Sequence, residues 1–86
     1  MIDINGMAHV VITVSQFDKA HKFYSSLLPE FGMTKVEDGP DFLYHVGART
    51  AIGIRKSDPE FAEEVFQQYR VGLHHICLRA RSRKDI

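Results

Sequence analysis

Two hydrophobic periods alternate along the chain. Residues 8–14, AHVVITV, form a short run rich in β-branched types, which favours a strand over a helix. Period two sorts them into Ala8, Val10, Ile12 and Val14 on one face and His9, Val11 and Thr13 on the other. The next stretch, SQFDKAHKFYSSLLPEFG, changes period: Ala20, Phe23, Tyr24 and Leu27 fall at i, i+3, i+4, i+7, which predicts a helix with one apolar stripe. Asp18 is the expected cap, and Pro29 and Gly32 end the helix.

From Met33 onward the period returns to two. Turn signals at DGPD (38–41) and VGAR (46–49) separate strands predicted at 34–38, 42–47 and 50–56, a three-stranded meander. The segment SDPEFAEEVFQQYR offers Ser57 or Asp58 as a cap and Pro59 at a first helical position, so 57–70 reads as a helix or an ordered connector. LHHICLRA (73–80) alternates again, with His75, Cys77 and Arg79 in one row and His74, Ile76, Leu78 and Ala80 in the other. Ser82 and Asp85 then have the spacing of a capping box.

The ending repeats the beginning. GMAHVVITVSQFDKA and GLHHICLRARSRKDI share a glycine, a histidine, an alternating strand, a polar turn and a helix start, an internal repeat of roughly 65 residues. The expected organisation is an α+β chain: a βαβββ module over 1–56, a connector over 57–72, and the first strand and helix start of an incomplete second module over 73–86. Two explanations fit that ending, a longer two-module protein cut short or a short chain that pairs with a second copy of itself.

Composition narrows the function classes. A domain of 86 residues buries only about 60–65% of the surface its unfolded chain exposes, so its core is marginal. No apolar run approaches the ~20 residues a membrane helix needs, and MIDINGMAHV has no basic stretch followed by an apolar one, so a cytoplasmic setting without membrane partners is expected. Eleven basic residues balance eleven acidic ones, and the Arg79, Arg81, Arg83, Lys84 cluster has no interleaved aromatic to stack on bases, which argues against a nucleic-acid partner. Cys77 is the single cysteine, which removes disulfide frameworks and CxxC motifs. It shares a row with His75, the arrangement of an activated thiolate, or of a small apolar residue beside an imidazole.

The HVVITV strand, the FDKAHKFYSSLLPEFG helix with its Phe23-Tyr24 pair, and the GLHHICLRA strand together resemble the vicinal oxygen chelate superfamily. That superfamily includes glyoxalases, bleomycin and fosfomycin resistance proteins and extradiol dioxygenases. The resemblance implies a curved mixed sheet with the helix on its outer face and a metal or ligand cavity inside. It also implies His9 and His75 as counterparts from equivalent strands, as ligands of a divalent metal (Zn, Fe, Ni, Co or Mn) or as cavity-lining side chains. Thr13, His45 and Arg79 are the expected substrate contacts, Arg79 as an anion clamp. In the family the last strand of a module supplies an acidic ligand; here that position is Gly53, which has no side chain to coordinate with. Two readings follow from the resemblance. One is metal-assisted chemistry of the lyase or dioxygenase type on a small oxygen-rich substrate. The other is metal-free binding of a small molecule, of the bleomycin-resistance type, by a dimer. Open sheet edges and a concave apolar face make a homodimer the expected assembly.

Overall fold

A computed structural model describes residues 1–85. Its strands are β1 (Val10–Val14), β2 (Thr34–Asp38), β3 (Phe42–Gly47) and β4 (Thr50–Lys56), and its helix is α1 (Phe17–Leu27), extended by a 3₁₀ turn at Leu28–Phe31. The four strands form one mixed sheet in the order β1-β4-β3-β2, with β1 parallel to β4 and the other pairs antiparallel. This is the predicted βαβββ module. A parallel pair needs a crossover, and here the crossover carries α1 and the β2–β3 hairpin before the chain returns to β1's side as β4.

α1 begins one residue ahead of the predicted cap. Gln16 occupies the cap position, Asp18 lies in the first turn, where its charge favours the helix N-terminus, and no side chain caps the helix. The helix ends as predicted: Pro29 tightens the chain into the 3₁₀ turn, and Gly32, left-handed at φ 75°, closes it with its N–H on the carbonyls of Leu28 and Pro29. The stripe that packs on the sheet is Phe17, Ala20, Tyr24 and Leu28, whereas Phe23, expected within it, is 59% exposed.

The core lies between α1 and one face of the sheet, where Phe17, Leu28, Met33, Leu43, Ile52 and Ile54 form a buried cluster with Ile12, Val14, Ala20 and Tyr24 packed against it. β3 and β4 meet through a two-residue loop, Ala48-Arg49, in which both residues have positive φ, 53° and 63°. A type I′ hairpin loop asks for that conformation and normally recruits Asn or Gly to supply it. Beside the loop, Gly47 lies against the backbone of Gly32 and Met33 so closely that a Cβ there would stand 2.5 Å from the Gly32 carbonyl oxygen. The close approach ties the end of β3 to the residues leading into β2.

Beyond β4 the structure departs from the predicted pattern. The connector holds only a 3₁₀ turn at Pro59–Phe61 in place of the helix considered for 57–70. Residues 73–80 pair with no strand, and Leu73, Ile76 and Leu78 are exposed. Alternation gives this segment two faces but does not give it a ladder, and neither edge of the sheet takes it up. Ser82 does open a turn: its Oγ accepts the Lys84 N–H at 3.2 Å, and the turn that follows is a 3₁₀ turn at Arg83–Asp85. Ile86, the last residue of the predicted second module, lies outside the described residues.

Candidate binding face of the sheet

Each strand turns alternate residues toward α1 and away from it, so the sheet has a closed and an open face. Register fixes which residues share the open one. Thr13 on β1, Arg55 on β4 and Phe42 on β3 are cross-strand neighbours in one row. Val11, Gly53, Tyr44 and Glu37 form the next row, across all four strands. Val11 and Thr13 are exposed on this face, as period two predicted, and His9 precedes them on the same side of the alternation, exposed and one residue ahead of β1.

At the centre of the open face, the rings of Phe42 and Tyr44 are stacked with centroids 5.6 Å apart and planes inclined by 22°. They lie over Gly53, where an added Cβ would stand 3.0 Å from an atom of each ring. The aromatic pair is half-buried on the open side. Arg55 stands beside it, with one carboxylate oxygen of Asp58 at 3.9 Å, too far for a hydrogen bond. A hollow of about 490 Å³ adjoins this end, bounded by Asp41, Phe42, Arg55, Lys56, Ser57 and Asp58. A larger groove, about 960 Å³, follows the unpaired edge of β1 between α1 and the connector, and takes in Thr13, Phe23, Arg55, Phe61 and Phe66.

His45 does not line this face. It follows the Leu43 alternation onto the closed side and is fully buried. Neither ring nitrogen has a hydrogen-bond partner among the described residues. In FLYHV the polar His45 shares a row with Leu43, so alternation points that row outward, whereas packing buries it. Burial pushes the His45 pKa below the ordinary histidine range; Lys35, its neighbour on β2, acts in the same direction, Asp38 opposes, and His21 adds slightly to the lowering. Above His45, at the solvent boundary, Asp38 accepts hydrogen bonds from His21 Nε2 at 2.7 Å and Lys35 Nζ at 3.2 Å. His21 first and Lys35 second hold its carboxyl below the usual carboxylate range.

The remaining expected site residues are not brought to the sheet as a strand. His75, Cys77 and Arg79 are exposed within the unpaired segment. His74 and His75 meet edge to face with their Nδ1 atoms 2.7 Å apart, one ring N–H donating to the other ring. Among the described residues no group of three His, Cys, Asp or Glu side chains converges as a metal site would require. Gly53, the β4 position that the resemblance implies for an acidic ligand, has no side chain to coordinate with, and ring atoms of Phe42 and Tyr44 lie 3.0 Å from where its Cβ would stand. Sequence reasoning passed over Arg55; the signal that places it beside Thr13 and Phe42 is the parallel register of β1 on β4, a long-range pairing.

No protein-family model matches the chain, and no curated protein matches it in sequence. Among solved structures, that of a candidate glyoxalase from Bacillus halodurans is similar, with a TM-score of 0.81 at 24% sequence identity over 92% of this chain. The match covers 59% of that protein, so the chain spans about three-fifths of its length. At this identity the likeness speaks for the backbone. The chain has a glyoxalase-like fold, represented by one βαβββ module.

Proposed function

We propose that the chain is a small-molecule-binding module of the glyoxalase-like kind, which holds its ligand on the open sheet face by stacking and polar contact, without a metal donor from β4, and which a second copy of the chain helps to enclose. The observation that carries this reading is the Phe42–Tyr44 stack over Gly53. A side chain at that position would press on both rings and make them shift, whereas the stacked pair, rimmed by Thr13 and Arg55, suits a ligand with a conjugated body and a polar end. Pairing is supported by the unpaired outer edges of β1 and β2 and by the exposed apolar residues of the open face and connector, Val11, Val46, Phe61 and Phe66 among them.

Native mass spectrometry before and after chelator, with metal content measured on the same sample, tests the proposal. The expected species is a dimer without stoichiometric metal. A dimer that carries and then loses about one ion per site would replace this reading with the metal-assisted one, with His9 and His75 as ligands. A monomer would remove the second copy from the account.

A further inference from the structure

Resting on that binding reading, we propose a ligand class for the open face: a planar aromatic monocarboxylate, its ring on the Phe42–Tyr44 patch and its carboxylate on Arg55. The two rings are nearly parallel and stack on each other above a residue with no side chain, and a flat conjugated group gains most by extending such a stack. Arg55 is the cross-strand neighbour of Phe42, within the span that neighbouring side chains bridge. Its guanidinium has a fork of donors, and its exposed ion pair with Asp58, at 3.9 Å, is too long to take up one of them as a hydrogen bond. Thr13, the other neighbour of Arg55 in the same row, adds a hydroxyl-bearing side chain beside it.

Charge sets both the orientation and the number of anionic groups. Tyr44 is flanked on β2 by Glu37, so the far end of the patch repels an anion and the Arg55 end attracts it. Asp41 and Asp58 border the hollow beyond Arg55 and disfavour a second negative group there.

The test compares 2-naphthoate with its neutral isostere 2-naphthamide, titrated into the full chain and into Arg55→Gln, with the Phe42 and Tyr44 ring signals and the Val11 methyl signals read by NMR. Arg55 is exposed, so the substitution leaves the core intact. Naphthoate is expected to bind the unaltered chain about tenfold more tightly than the amide. In Arg55→Gln that preference should vanish, and Arg55→Lys, which keeps the charge and loses the fork, should fall between. Equal binding of both compounds, with or without Arg55, would overturn the carboxylate assignment and leave the aromatic surface standing. A naphthoate preference that survives Arg55→Gln would overturn the role of Arg55. Absence of shifts at Phe42, Tyr44 and Val11 with either compound would overturn the binding reading itself, and this proposal with it.

Discussion

The two faces of this sheet are built from the same strands by the same alternation, yet they do different work. On β3, Leu43 and His45 are fully buried against the helix side, while Phe42, Tyr44 and Val46 between and beside them remain half-buried or exposed. On β1, Ile12 and Val14 join the core and Val11 and Thr13 do not. The closed face holds the aliphatic cluster and thus most of the stability; the open face holds flat rings, a hydroxyl and an arginine, groups that bind. One residue of displacement along a strand separates a stabilising role from a recognition role, and that contrast can be tested position by position.

The sharpest contrast is between Leu43 and Thr13. Leu43→Ala should lower unfolding stability by about 2–5 kcal/mol, since it empties a fully buried site, whereas Thr13→Ala should change it by less than about 0.5 kcal/mol. Chemical denaturation of the two variants measures both; comparable losses would break the division of labour.

His45 breaks the pattern from within, as a polar ring at the centre of the closed face. His45→Leu removes an unsatisfied donor and acceptor while keeping an apolar side chain in place, and should stabilise the fold by about 1–3 kcal/mol. It should also change the pH dependence. The folded pKa of His45 lies below the ordinary 6.5, so as pH falls below 6.5 the unfolded chain takes up the proton first and stability declines, levelling off once pH passes below the folded value. Denaturation midpoints between pH 8 and pH 5 should fall in the unaltered chain and stay flatter in His45→Leu. Asp38, with its pKa lowered below 3.8, adds a separate loss at more acidic pH that both proteins share.

Gly53 is the corresponding exception on the open face. Gly53→Ala places a methyl group 3.0 Å from atoms of both rings, which must shift by a few tenths of an ångström. The expected cost is about 1 kcal/mol, with displaced Phe42 and Tyr44 ring signals and weaker ligand binding. Unmoved ring signals would mean that the stack does not rest on this residue. The smallest effect belongs to neither face: Arg49→Gly relieves a positive φ in the β3–β4 loop and should stabilise the fold by about 0.5–1 kcal/mol without altering binding.

The division between the faces also explains how much could be read from the sequence. β2, β3 and β4 coincide with their predicted spans because DGPD and the Gly47–Arg49 turn punctuate them locally. The faces of β1 were legible because polar His9 and Thr13 mark the row opposite the apolar Ala8, Val10, Ile12 and Val14. β3 carried a misleading mark, the polar His45 in the row that is buried, and that row became visible only through packing against Leu28 and Ile54. The strand predicted at 73–80 has the right local pattern and no partner, since pairing is a property of the whole sheet. Arg55 was hidden for the same reason, as its place beside Thr13 comes from the β1–β4 register.

The most direct test of the central claim is a methyl-resolved NMR titration of the unaltered chain with 2-naphthoate, read along the strands themselves. Open-face binding predicts shifts at Val11 and Val46 together with the Phe42 and Tyr44 rings, while Ile12 and Leu43, their immediate neighbours in the sequence, and the core residues Ile52 and Ile54 on β4 stay still. Shifts concentrated on the latter set, or spread evenly over both, would contradict the account.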